Sequence, residues 1–205
     1  MSERRVRAYI GLGANVGDAR ATLTWAVHAL AALPGVKLRD VSRLYVTAPV
    51  GVTGQRDFHN AVVALDVPAG DDPPIGALAL LTSLKDLERR SGRQVRERWG
   101  PRELDLDVLI FGRARVSIQR PAEARSNDIA SDPSKATKLL VVPHPEAHER
   151  LFVLAPLSDV APSLVPPGWG ETVTTARSRR QTIEGTDAVR AVADWDEAAA
   201  AWTTP

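Results

Sequence analysis

Residues 6–12 form a mostly apolar run, Val6-Arg7-Ala8-Tyr9-Ile10-Gly11-Leu12, and predict a first strand entering the turn Gly13-Ala14-Asn15-Val16-Gly17-Asp18. Leu23, Val27, Leu30 and Leu33 then recur at helical spacing. Asp18 stands where an N-cap belongs, and Pro34-Gly35 ends the helix. Val36 to Thr47, with Val41, Leu44 and Val46, predicts a strand. A Gly- and Pro-bearing loop from Ala48 to Gln55 separates it from a third strand at Phe58–Val67. Pro73-Pro74 opens a helix over about 75–91, with Leu78, Leu81, Leu84 and Leu87 one turn apart and Gly92 as its stop. Leu104–Phe111 is the next strand. Residues 121–138 contain no aromatic residue and one Ile, and predict a mobile surface loop. Leu139–Val142 predicts a short strand, and a brief helix follows near 146–150. Beyond 166 the Ala-rich stretch carrying Trp195 and Trp202 predicts a last amphipathic helix.

The order strand–helix–strand–strand–helix–strand up to Phe111 predicts an α+β fold. It is a ferredoxin-like βαββαβ core, with an antiparallel sheet and helices on one face. A doubly wound parallel sheet needs a helix between consecutive strands, and none fits between Thr47 and Phe58.

Composition narrows the chemistry. The chain has 205 residues and no Cys, which excludes a disulfide framework, a thiolate metal site and a cysteine nucleophile. The longest apolar run, Ile75–Leu81, falls short of the roughly 18 residues that span a bilayer, and the N-terminus lacks a signal-peptide core. A soluble cytoplasmic protein without a membrane partner is expected. The formal net charge of +1 argues against a general nucleic-acid binder.

Asp105 and Asp107 lie two apart in a predicted strand, so both carboxylates share a face, roughly 6–7 Å apart along the backbone. Leu104, Leu106 and Val108 point the other way. Two like charges at the edge of a core need a positive partner, either Mg²⁺ or an arginine of a neighbouring strand. Arg89, Arg90, Arg93, Arg96, Arg98 and Arg102 precede them. Guanidinium forks suit phosphate oxygens, and a metal–polyphosphate site needs both signs. The other reading is a nucleic-acid patch with Trp99 as a stacking platform. Glu88, Glu97, Glu103, Asp105 and Asp107 nearly cancel the six arginines, which favours the metal–phosphate site. Arg89 and Arg90 read better as helix-end surface charge. Gly11-Leu12-Gly13-Ala14-Asn15-Val16-Gly17 has GxGxxxG spacing and reads as a tight strand–helix turn rather than a dinucleotide fingerprint; a Rossmann-type reductase is the alternative it leaves open. His144 and His148 have zinc-like i, i+4 spacing without a third ligand, so a nucleotide contact by His144 is preferred.

Four segments taken in order resemble the 6-hydroxymethyl-7,8-dihydropterin pyrophosphokinase family. They are 8–15, 58–65, Arg98-Trp99-Gly100-Pro101-Arg102 through Leu104-Asp105-Leu106-Asp107 to Gly112, and Val142-Pro143-His144-Pro145 with 150–157. The resemblance covers about 6–165. It implies a pyrophosphokinase domain at 1–165 with the loop 121–138 inserted, and a partly helical C-terminal extension at 166–205. Neither loop nor extension is expected to serve the chemistry. The activity implied is transfer of the β,γ-pyrophosphoryl group of MgATP to the pterin hydroxymethyl oxygen, releasing AMP, in folate biosynthesis. Asp105 and Asp107 match the aspartates that hold two Mg²⁺ ions; Arg93 and Arg102 match arginines that assist transfer; Trp99 belongs to a closing loop. Asn60 matches the pterin-bonding residue, Phe58 and Phe152 the flanking aromatics, and Thr47 and Val50 a pterin-lining loop. Glu88, His144 and Arg150 correspond to nucleotide-side positions. A monomer acting on small molecules is implied. Arg93 to Trp99 is one residue shorter than the family form, and Leu139 and Val141 stand where the family often carries Arg and Thr.

Overall fold

The computed structural model describes residues 4–49, 54–92, 101–121 and 137–204. Its elements are β1 (Arg5–Ala14), α1 (Ala19–Ala31), β2 (Lys37–Val41), β3 (Leu44–Thr47), β4 (Phe58–Pro68), α2 (Pro73–Arg90) and β5 (Asp105–Phe111). They continue with β6 (Val116–Gln119), β7 (Lys138–Val142), α3 (Leu151–Val160), α4 (Val173–Glu184), β8 (Val189–Asp196) and β9 (Ala201–Thr203). Among these residues the fold is α+β, with one seven-stranded sheet ordered β5-β1-β4-β3-β8-β9, β2 pairing beside β3 on β4. Its pairings are antiparallel. β6 and β7 form a separate hairpin.

Local chemistry sets the helix starts. Asp18 accepts from the Ala21 backbone N–H at 3.0 Å and Asp72 from that of Ile75 at 2.9 Å, each supplying an acceptor to an otherwise orphan donor. Pro73 and Pro74 occupy the first turn of α2, where a missing N–H costs nothing. The expected single strand over 36–47 is split in two at Ser42 and Arg43. The Ser42 side chain accepts from the Val62 N–H at 2.9 Å and donates to the Arg43 carbonyl at 2.7 Å, standing in for ladder bonds at the break.

Helices cover both faces of the sheet, not one. Ala8, Ile10, Leu12, Leu65, Leu106 and Val108 pack with α1 and α2. Tyr9, Val62, Ala64, Leu109 and Ile110 are equally buried on the opposite face, which α3 and α4 cover with Leu154, Leu157, Val173 and Ala176. A strand apolar on both faces must be covered on both. The helix expected near 146–150 is a 3-10 turn at Ala147–Glu149 that leads into α3.

The helix expected around Trp195 and Trp202 is instead the β8–β9 hairpin. β8 pairs with β3, so the hairpin extends the sheet. Trp202 is buried, donates its indole N–H to the Ser42 carbonyl at 2.8 Å and meets Trp195 edge to face at 4.9 Å. Asp159 of α3 accepts from the Tyr45 hydroxyl and the Arg43 guanidinium, tying β3 to the helical layer. Burial, with the Asp159 carboxylate beside it, raises the Tyr45 hydroxyl above its ordinary range. Near the far end of β4, hydrogen bonds from Arg7 and then Arg39 hold Asp66 below the usual carboxylate range against a smaller cost of burial.

Candidate active site

β1 lies between β5 and β4, and its two glycines set the floor of a pocket. Gly11 is opposite Asp107 and Gly13 opposite Asp105 on one side; the same glycines face Val62 and Asn60 on the other. A Cβ on Gly11 would lie 3.4 Å from the Leu109 side chain, and one on Gly13 would lie 3.5 Å from Asn60 Oδ1 and 4.0 Å from Asp105 Cβ. Side chains there would fill the space between the carboxylates and the amide. The pocket is lined by Gly11, Gly13, Asn60, Asp105, Asp107 and Phe152 together with neighbouring apolar residues. The strand runs through Gly11 and Gly13 to Ala14, two residues beyond the Leu12 end that the sequence predicts. Glycine within a strand is the one local signal of such a floor, since it marks close approach of a ligand or another backbone.

Asp105 and Asp107 are partly exposed on one face of β5, while Leu106 and Val108 between and beyond them are buried in the opposite layer. Arg102 Nη1 donates to Asp105 Oδ1 at 2.9 Å. Two carboxylates sharing a face, with one guanidinium beside them, form a hard oxygen donor set that suits Mg²⁺ completed by phosphate oxygens. Among the described residues no group of three His, Asp or Glu side chains is placed to hold a metal by itself. His148, whose spacing from His144 is zinc-like, has its ring tilted against Trp169 at 5.2 Å and contacts Glu149 at 3.2 Å.

Asn60 is buried and donates through Nδ2 to Thr47 Oγ1 at 3.0 Å, joining β4 to β3. Phe58 is on the same face of β4, two positions earlier, and pairs across the sheet with Thr47. Phe152 comes from the first turn of α3, with the Arg150 guanidinium 5.6 Å from its ring centroid, and Arg150 is also ion-paired with Glu146. Asn60 and Phe152 therefore line the same pocket as the carboxylate pair, with Thr47 bonded to Asn60 and Phe58 two positions before it on β4.

Glu88 stands behind β5 rather than in the pocket. It is buried at the end of α2, and its Oε1 accepts from the Leu106 N–H at 2.7 Å and from Lys85 Nζ at 2.7 Å. Lys85 also donates to the Leu106 carbonyl at 3.2 Å. The two side chains thus hold the outer edge of β5 between the aspartates. His144 is beside β5, its N–H donating to the Leu109 carbonyl at 2.8 Å, and lines a second groove with Arg115, His148 and Trp169. Arg89 is exposed and paired with Asp86, as helix-end charge should be. Val50, Arg93 and Trp99, with Arg96, Arg98 and most of the 121–138 loop, lie outside the described residues.

An antiparallel α+β scaffold with paired carboxylates and an arginine at one sheet edge has the layout of a phosphotransfer enzyme. Comparison with known proteins makes the class particular. The family model for 7,8-dihydro-6-hydroxymethylpterin-pyrophosphokinase (HPPK) matches residues 9–162, and the chain belongs to this family. A 2-amino-4-hydroxy-6-hydroxymethyldihydropteridine pyrophosphokinase of Methylorubrum extorquens is 41% identical over 173 residues, covering 84% of this chain and 92% of that protein. The protein of the same description in Pseudomonas aeruginosa is 37% identical over 158 residues, covering 77% and 82%. Among solved structures, a Plasmodium falciparum HPPK-DHPS triple mutant matches with a TM-score of 0.69 at 13% identity. That match covers 99% of this chain, reaching past residue 162, and 49% of the other, so the chain spans about half the length of the malarial protein.

Proposed function

We propose that this chain transfers the β,γ-pyrophosphoryl group of ATP to the hydroxymethyl oxygen of 6-hydroxymethyl-7,8-dihydropterin, a step of folate biosynthesis, in the pocket over Gly11 and Gly13. Family membership supports the reaction. The observation that carries the location is the single pocket bounded by Asp105 and Asp107 on one side and by Asn60 and Phe152 on the other. It sets an anion-handling edge directly beside an amide and an aromatic ring suited to a flat heterocycle.

On this reading Asn60, oriented by Thr47, hydrogen-bonds the pterin, and Phe58 and Phe152 flank its ring. The hydroxymethyl group then points toward β5. Its oxygen attacks the β-phosphorus, a new O–P bond forms, the bond to the α,β-bridging oxygen breaks, and AMP leaves with that oxygen. Asp105 and Asp107 would hold two Mg²⁺ ions, which would supply charge neutralisation of the triphosphate and polarisation of the reacting oxygens. Arg102 leaves its ground-state contact with Asp105 for the transferring phosphates, where a guanidinium fork matches the oxygens. Arg93, Trp99 and Val50 keep the roles the family resemblance implies for them. His144 and Arg150 serve the nucleotide side. Glu88, whose Oε1 receives the Leu106 N–H, acts on that side by holding β5 in place. The hydroxyl proton passes to Asp105 or to solvent water.

The βαββαβ order with strands β5-β1-β4-β3 supports a ferredoxin-like core. A monomer working on small molecules in the cytoplasm, with no nucleic-acid partner, fits the near-neutral composition. Among the described residues no helix is long and apolar enough to cross a membrane. Product analysis tests the reaction: incubation with MgATP yields AMP and no ADP, and only when the hydroxymethyl dihydropterin is present. ADP as the nucleotide product, or AMP release without the pterin, contradicts it.

A further inference from the structure

Asn15 is buried at the C-terminal side of β1, and its hydrogen bonds among the described residues reach far along the chain. Its backbone N–H donates to the Arg102 carbonyl at 3.0 Å, and its Oδ1 accepts from the Arg102 N–H at 2.7 Å. Its Nδ2 donates to Gln55 Oε1 at 3.2 Å and to the Arg56 carbonyl at 3.2 Å. Burial of an amide demands that its donors and acceptor be satisfied, and a turn could do this locally. Here the partners are 40, 41 and 87 residues away. Both partner segments are lead-ins to strands of the site. Gln55 and Arg56 run into β4 just before Phe58 and Asn60; Arg102 runs into β5 just before Asp105.

We infer that Asn15 is a positioning residue that fixes the pterin-side lead-in and the phosphate-side lead-in against each other. The inference rests on the pocket proposed above. A primary amide of this length offers one acceptor and two N–H donors on a short stem, and all three are used. Aspartate in its place would set a carboxylate oxygen against the Arg56 carbonyl. Alanine would release both segments and leave the Arg102 N–H without its acceptor. Neither change touches the substrates. What is lost is the spacing between the attacking hydroxymethyl oxygen and the β-phosphorus, and a misplacement of about 1 Å costs on the order of 10²-fold in rate.

The test separates kcat from binding. For Asn15→Ala and Asn15→Asp, kcat for AMP formation is expected to fall on the order of 10²-fold. Dissociation constants for a non-hydrolysable ATP analogue and for the pterin, each measured alone, change by less than about five-fold, the equivalent of one ordinary hydrogen bond. Gln55→Ala cuts one tie and leaves Asn15 in place, so it gives a smaller kcat loss of the same kind even if the Asn15 variants do not fold. Unchanged kcat in folded variants, with only Tm lowered, overturns the inference. So does a loss confined to the affinity for one substrate, which would make Asn15 a binding residue. Failure of the unaltered chain to turn over contradicts the functional reading instead.

Discussion

Asp107→Ala is expected to lower the rate of AMP formation by about a thousandfold or more while leaving the fold at least as stable as before. The rate loss follows from removing half of the donor set: metal-held charge stabilisation of several kcal/mol converts to a decade for each 1.36 kcal/mol. The stability expectation has a different origin. Asp107 projects from the same face of β5 as Asp105, opposite a glycine, and it is partly exposed. Without bound metal the two carboxylates repel, so deleting one relieves that repulsion. Asp105→Ala is expected to be as inactive, and nearly neutral in stability. Its pair with Arg102 has side chains 28% and 31% exposed, and such pairs contribute little. Initial rates of AMP release and urea melts of the metal-free protein check both halves. An Asp107→Ala protein with near-normal turnover, or one that unfolds, contradicts the assignment of this strand.

Trp202→Ala is expected to cost about 3–5 kcal/mol of stability. That is a large fraction of the roughly 5–15 kcal/mol that holds a domain together. For a chain of this size it corresponds to a fall in Tm on the order of 10 °C. Trp202 is 3% exposed, packs edge to face with Trp195, and bonds the backbone of Ser42 at the break between β2 and β3. Its own carbonyl accepts from Arg20 Nε of α1 at 2.9 Å. Cutting the chain after residue 165 goes further. It removes the buried Val173, Ala176, Ala193 and Trp202, and bares the edge of β3 that β8 covers. Insoluble protein is expected from that truncation. Among the described residues the segment beyond 165 adds no group to the pocket lining; what it supplies is cover for the sheet and its edge. Trp202→Phe, which keeps most of the packing, is expected to retain normal kcat at temperatures where it is folded; a kcat loss there contradicts that separation.

Much of the scaffold was legible because its signals are local. Asp18 and Asp72 precede helices whose apolar stripes recur every turn, and the dyad of Asp105 and Asp107 needs only strand alternation to share a face. The family resemblance then singled out Asn60 and Phe152, and the fold does bring them to the carboxylates. What escaped depends on neighbours distant in sequence. Gly11 and Gly13 gain their meaning only when β4 and β5 flank them, and Asn15 only when Gln55, Arg56 and Arg102 converge on it. Glu88, which the family resemblance puts on the nucleotide side, shows its bond to the Leu106 N–H only once β5 lies against the end of α2. The β8–β9 hairpin was misread because Ala-rich sequence favours helix in isolation. The open edge of β3 and the Ser42 carbonyl supply the pairing that overrides that preference. The one-layer expectation came from the ferredoxin-like element order, although runs such as Ala61-Val62-Val63-Ala64-Leu65, apolar on both faces, call for cover on both.

The most direct test of where the chemistry occurs is a crystal structure of this chain with Mg²⁺, a non-hydrolysable ATP analogue and the hydroxymethyl dihydropterin. The account predicts the pterin ring beside Asn60 between Phe58 and Phe152, its hydroxymethyl oxygen facing the β-phosphorus over Gly11 and Gly13, and metal density on Asp105 and Asp107. Density for the pterin or the triphosphate in the groove of Arg115, His148 and Trp169, with the two aspartates bare, would contradict it.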